Sequence, residues 1–131
     1  MQLIQSGEVD MIATWNGRSQ AAIDGGAPVT IVWNQGLYSI EGWGIPKGTP
    51  RAEMAKAFVR FCADAKRQSD ITDQLAYGPT NLKAYEHIPV KRAAILPTAA
   101  ENIKRMRLPS PEWWTQNREK VSERFQTWLL G

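Results

Sequence analysis

The side chains best suited to catalysis are scarce. The chain has one histidine, His87, in a proline-flanked polar stretch, and one cysteine, Cys62. Activating a nucleophile or closing a metal shell requires several His, Cys, Asp or Glu groups converging on one point, and neither residue has companions at a suitable spacing. The glycines Gly25-Gly26 and Gly42-x-Gly44 are too short and wrongly placed to cradle a phosphate. No cofactor or metal is expected. What remains is binding chemistry: six tryptophans, an unusual number for 131 residues, and charged side chains of both signs. Rigid aromatic rings serve either as core filling or as flat walls for a small ligand.

The single cysteine excludes an intrachain disulfide and is silent on compartment. With 43% hydrophobic residues the chain has material for one globular core. The net charge of +3 is dispersed, apart from the cluster Lys104-Arg105-Met106-Arg107, which reads as a solvated helix face. No nucleic-acid partner is expected. The first residues lack the basic start, apolar stretch and cleavage site of a signal peptide, and no apolar run reaches the roughly 18 residues of a membrane span.

The elements that must position any site follow from periodicity and punctuation. Gln2 to Ser6, stopped by Gly7, reads as the last turn of a helix, an abrupt start that suggests missing preceding sequence. Val9–Trp15, Val29–Trp33 and Leu37–Ile45 read as strands, the second rich in β-branched residues. A turn at Asn16-Gly17 leads to a short helix closed by Gly25-Gly26, and Asn34-Gln35-Gly36 forms another turn. Thr49 as N-cap and Pro50 at the first position start a helix with Met54, Phe58, Phe61, Cys62 and Ala65 on one apolar face. A further helix covers about Ser69–Ala76. After the loop Tyr77-Gly78-Pro79-Thr80-Asn81, short helical pieces alternate with Pro89, Pro97 and Pro109. Ser110-Pro111 opens a final helix striped by Trp114, Val121, Phe125, Trp128 and Leu129. Strands alternating with helices, then mainly helix, predict an α/β fold.

Several of these stretches resemble, in order, the spermidine/putrescine-type ABC-transporter substrate-binding proteins. Gly7-Glu8-Val9-Asp10-Met11 leading to Trp15-Asn16-Gly17-Arg18 is similar to their G-E-V-x strand and W-x-G turn. Gly42-Trp43-Gly44-Ile45-Pro46-Lys47-Gly48-Thr49 is similar to their hinge-to-helix segment, Ala55-x-x-Phe58-x-x-Phe61 to the helix after it, and Tyr77-Gly78-Pro79-Thr80-Asn81 to their Y-x-P-x-N loop. Leu96-Pro97-Thr98 and the Trp-rich final helix continue the order. The resemblance implies the C-terminal portion of a two-lobed periplasmic-binding-protein-like α/β fold that closes on a ligand. It places residues 1–36 in the second lobe, 37–84 in a crossing segment and part of the first lobe, and 85–131 in the return to the second lobe with its C-terminal helices. It also implies a periplasmic location, an ABC-transporter permease as partner and no enzymatic activity. Apolar faces such as Phe58/Phe61 would lack cover, so self-association or pairing with a missing N-terminal half is expected.

The same resemblance supplies the candidate site. Trp15 faces the cleft as a ligand wall, where a ring face attracts an ammonium. Tyr77 forms a second wall with a hydroxyl at its rim. Glu41 stands where polyamine binders carry the acid that grips an ammonium. Two positions depart from the pattern: Arg18 replaces the aspartate that diamine binders often carry, and Ser39 replaces an aromatic two residues before the acid. Arginine repels a diamine but matches a carboxylate with a planar fork. The expected ligand is therefore a zwitterionic amino-acid derivative, GABA-like or opine-like, held between Arg18 and Glu41 against Trp15. The alternatives are polyamine binding, an Arg18 that merely caps its helix or pairs with Asp24, and a protein-interaction module built on Trp113/Trp114. Trp33, Trp113, Trp114 and Trp128 are expected to be structural.

Overall fold

The computed structural model describes all residues 1–131. In chain order the helices are α1 (Gln2–Gln5), α2 (Asn16–Asp24), α3 (Ala52–Cys62), α4 (Ala65–Gln74), a 3-10 turn (Leu82–Glu86), α5 (Val90–Ala93), α6 (Ala100–Ile103) and α7 (Pro111–Leu130). No helix is long and apolar enough to cross a membrane.

Capping decides several boundaries. The Asp64 carboxylate accepts from the Arg67 amide at 3.0 Å, so α4 starts at Ala65 rather than near Ser69. Ser110 accepts from the Trp113 amide at 3.2 Å with Pro111 behind it, which is the start expected for α7. Helix α3 begins at Ala52, two residues later than the Thr49-Pro50 signal. The Thr49 hydroxyl is 3.5 Å from the Arg51 amide and rounds off the preceding turn instead of capping the helix. Helix α2 ends at Gly25, with Gly26 in the left-handed region at φ +86°. The turn after residue 33 places Gln35 at φ 60°.

The apolar core is small and lies late in the chain. Ala76, Ala84, Ile88 and Leu96 form one buried cluster, with Tyr85 and Ala93 against it and Met106 buried nearby. Polar clasps close this region. Gln68 donates to the Cys62 carbonyl at 3.2 Å and accepts from the Asn81 amide at 2.9 Å, while Asn81 donates to the Ala63 carbonyl at 2.9 Å. The loop 77–81 is thereby fixed to the α3–α4 junction. Arg92, with its side chain only 17% exposed, donates to the Thr72 carbonyl at 2.5 Å and sits 3.8 Å from the Asp24 carboxylate. It satisfies a carbonyl that the end of α4 leaves open and reaches across to the end of α2. Asn102 donates to the carbonyls of Ala94 and Leu96 at 2.9 and 2.8 Å.

Three sequence expectations change. Val9–Trp15, Val29–Trp33 and Leu37–Ile45 do not form strands; the only bridge is a parallel one between Leu37 and Arg107. A strand exists by virtue of its neighbour, and beyond the contact of residues 35–38 with Arg105 and Arg107 these segments make no ladder. The α3 face expected to be buried is open, with Met54, Phe58 and Phe61 at least half exposed. The α7 stripe docks on nothing within the chain: the helix has no buried residue, and Trp113, Trp114 and Trp128 are exposed rather than structural. Trp113 and Trp114 stand edge to face, with ring centroids 5.2 Å apart.

The accessible surface measures this openness. It is 10787 Å² for a 14.7 kDa chain, against about 6,900 Å² for a compact monomer of that mass. The excess, roughly 3,900 Å², is surface that a closed fold of this size hides.

Candidate functional site

The site starts at the N-terminus of α2. Trp15 precedes the helix in extended conformation, and its carbonyl accepts from the amides of Arg18 and Ser19 at 3.0 and 3.2 Å. This leaves the indole 57% exposed and places Arg18 in the first turn of the helix.

Two small groups then bring a distant loop against this turn. Asn16 donates to the Ala76 carbonyl at 2.5 Å. Gly17 leaves room for the Tyr77 ring: a Cβ at position 17 would lie 2.9 Å from Tyr77 Cε1. Tyr77 thus lies on the backbone of the Trp15-Asn16-Gly17-Arg18 turn. Behind the loop, Gly78 packs on Thr98, whose hydroxyl is 2.9 Å from the Tyr85 hydroxyl. Burial raises the pKa of the Tyr85 phenol and the Thr98 bond lowers it, with burial prevailing. Asn16→Ala is expected to cost about 1–2 kcal/mol of stability, because the Ala76 carbonyl loses its donor; chemical denaturation against the parent chain measures it.

All five residues singled out from the sequence, Trp15, Arg18, Ser39, Glu41 and Tyr77, line one open concavity of about 2420 Å³. Their surroundings differ. Trp15 and Tyr77 are joined through the Gly17 contact, whereas Ser39 and Glu41 come from the extended segment just after the Leu37–Arg107 bridge and are exposed. Asp24 hydrogen-bonds Gln20 at 2.8 Å and faces Arg92, so it is not the partner of Arg18. Neither Arg18 nor Glu41 has an ion-pair or side-chain hydrogen-bond partner in the chain, although elsewhere Lys56–Glu53, Lys66–Asp70 and Lys104–Glu101 pair across helical turns. The basic cluster is partly neutralised by the last of these: Lys104 holds the Glu101 carboxyl below its ordinary range by hydrogen bond and charge. No group of His, Cys, Asp and Glu residues stands close enough to hold a metal ion.

The concavity exceeds the roughly 300–1,000 Å³ of a small-molecule pocket. Trp15, Arg18 and Tyr77 line it together with further rings, Trp33, Tyr38 and Tyr85, and much of the rest is walled by the extended segments. Sequence reasoning took Asn16 and Gly17 only as a turn and missed that they seat Tyr77. The sole sequence signal was their position directly after an aromatic.

Residues 1–98 match the family of bacterial extracellular solute-binding proteins. The chain belongs to this family. Among similar proteins, the gamma-aminobutyric acid-binding protein of Pseudomonas aeruginosa is 34% identical over 127 residues, which are 97% of this chain and 36% of that protein. The periplasmic binding protein AgtB from Agrobacterium tumefaciens R10, solved with agropinic acid, superimposes with a TM-score of 0.79 at 33% identity, covering 99% of this chain and 41% of that one. MotA from A. tumefaciens B6, solved with glucopine, gives 0.78 at 35% identity, with 93% and 38% covered. The chain therefore spans about two fifths of the length of these relatives. Its fold is that of part of a two-lobed periplasmic binding protein, so the α/β class expected from the sequence holds although no paired sheet forms within the chain. The family is one of solute-binding proteins, and these relatives are binding proteins by name. None of the ligands named for them is a polyamine.

Proposed function

We propose that this chain is part of a substrate-binding protein that captures a small zwitterionic amino-acid derivative, GABA-like or opine-like, in the periplasm and delivers it to an ABC-transporter permease. The observation that carries the reading is the pair Arg18 and Glu41: opposite charges on one concavity, neither with a partner in the chain. Arginine offers two parallel donors to a carboxylate, and the glutamate accepts from an ammonium. Trp15 lies three residues before Arg18 and presents an exposed ring to the ligand stem, with Tyr77 held beside the same turn and Ser39 offering a hydroxyl near Glu41. The names of the relatives support this ligand class, since γ-aminobutyric acid carries both an amine and a carboxylate.

The lobe assignment is part of the proposal. With residues 1–36 in one lobe and 37–84 crossing into the other, Arg18 and Glu41 come from opposite sides, and closure on a ligand draws them together. The polyamine reading uses Glu41 but sets Arg18 against a cation, where its charge repels. Calorimetric titration with γ-aminobutyrate and with putrescine separates the two. Heat is expected with the amino acid, and Arg18→Asp is expected to weaken that binding by about 1.5–3 kcal/mol while improving putrescine binding. Putrescine binding indifferent to Arg18, with no amino-acid binding, overturns the zwitterion reading.

A further inference from the structure

Tyr77 combines a backbone that is held on both sides with a ring that is held at one point. Before it, the Ala76 carbonyl accepts from the Asn16 side chain at 2.5 Å, and Ala76 itself is buried in the core cluster. The Tyr77 amide donates to the Leu75 carbonyl at 2.7 Å. After it, Gly78 lies against Thr98, Pro79 is buried, and Asn81 is clasped to Ala63 and Gln68. The side chain is different. The Tyr77 residue is 43% exposed, and its hydroxyl makes no hydrogen bond with the chain, whereas that of Tyr85 is bonded to Thr98. With the backbone fixed, rotation about the side-chain bonds is the freedom left to the ring. What limits it on the α2 side is Gly17. A Cβ at residue 17 would meet the far end of the ring, 2.9 Å from Cε1, 3.0 Å from Cζ and 3.4 Å from the hydroxyl oxygen. The local backbone does not call for glycine there: Gly17 is the second residue of α2 and lies outside the left-handed region. Alanine is the better helix former in such a conformation.

We propose that Gly17 is a positioning residue for solute binding: by carrying no side chain it lets the Tyr77 ring lie on the first turn of α2, and so sets the space left to a ligand beside Trp15 and Arg18. This rests on the reading of the concavity as the solute site. The loop backbone cannot retreat, so a side chain at residue 17 turns the ring off the helix and into the concavity that Tyr77 lines with Trp15 and Arg18. The displaced ring then takes up volume in front of the turn that carries both of them. Gly17 acts through Tyr77 and needs no contact of its own with the ligand.

The test is a double-mutant cycle on the full chain, read with and without ligand. In calorimetry with γ-aminobutyrate, Gly17→Ala is expected to weaken binding about five- to tenfold, the size of a coupling between residues in contact. Once Tyr77→Ala has removed the ring, Gly17→Ala is expected to cost no further affinity. The ligand-free arm uses the three tyrosines, Tyr38, Tyr77 and Tyr85. With 3-fluorotyrosine incorporated, the fluorine resonance of Tyr77 is assigned by Tyr77→Phe, and Gly17→Ala is expected to move that resonance and leave the other two in place. In the Tyr77→Ala background Gly17→Ala is also expected to raise Tm, as alanine does at a helical glycine without special backbone angles, whereas with the ring present it does not. An unmoved Tyr77 resonance, or an equal loss of affinity with and without the ring, overturns the proposal and leaves the ligand reading standing. No binding heat with the parent chain overturns the ligand reading and this role with it, whatever the fluorine resonance does.

Discussion

Gly78→Ala is expected to lower the stability of the chain by about 2–3 kcal/mol, a downward shift of roughly 10 °C in Tm. The cause is steric. A Cβ at this position would lie 2.2, 2.6 and 2.8 Å from the Oγ1, Cγ2 and Cβ atoms of Thr98. Thr98 has no easy retreat, because its hydroxyl is bonded to Tyr85, which packs against the core. Backbone conformation contributes nothing, since Gly78 lies outside the left-handed region. Thermal melts followed by circular dichroism measure the shift. Two companions make the result specific: Gly42→Ala, with open space around its Cβ, is expected to stay within about 0.5 kcal/mol of the parent. Thr98→Ala in the Gly78→Ala background is expected to recover part of the loss, because it removes the two nearest atoms.

Leu96→Ala is expected to have the largest effect on folding. Leu96 is fully buried in a cluster with Ala76, Ala84 and Ile88, and the one large side chain against the cluster, Tyr85, is tied by its hydroxyl to Thr98 and is poorly placed to fill the space. Truncations of this kind cost about 2–5 kcal/mol, with the upper end reached where the site cannot collapse. In a core of only five buried hydrophobic residues, the loss is a large fraction of the total stability. The expected readout in urea is a midpoint moved far toward zero denaturant or no folded baseline. A midpoint within experimental scatter of the parent would show that the core is not where the structure places it.

How far these features were legible in the sequence depends on the range of the interaction. Capping is local, so Ser110-Pro111 marked α7 correctly, and Gly25-Gly26 marked the end of α2. Asp64 was overlooked as a cap, and α4 therefore began four residues early relative to expectation. The alternation in Val29–Trp33 is also local and survives in the burial pattern, but a ladder is not local, and no partner strand lies beside it. Periodicity likewise revealed that α3 and α7 have an apolar side without revealing what covers it. For the site, residue types and order led to Trp15, Arg18, Ser39, Glu41 and Tyr77 through family resemblance. The contacts that seat Tyr77, from Asn16 and Gly17, span about 60 residues of chain and have no signature in either segment alone.

The position of the core has a kinetic consequence. Every member of the buried cluster lies between Ala76 and Leu96, and apart from Arg92, which also faces Asp24, its polar clasps reach back only to Cys62 and forward to Asn102. Loops that short close quickly and at small entropic cost, so this region can form as a helical nucleus before the first fifty residues take any fixed position. The earlier part of the chain is then recruited by a few ties: Asn16 to Ala76, Asp24 to Arg92, and the backbone bonds that join residues 35–38 to Arg105 and Arg107. The order of assembly thus runs opposite to the order of synthesis, and until residue 76 and its neighbours have been made, the turn bearing Trp15 and Arg18 has nothing to rest on.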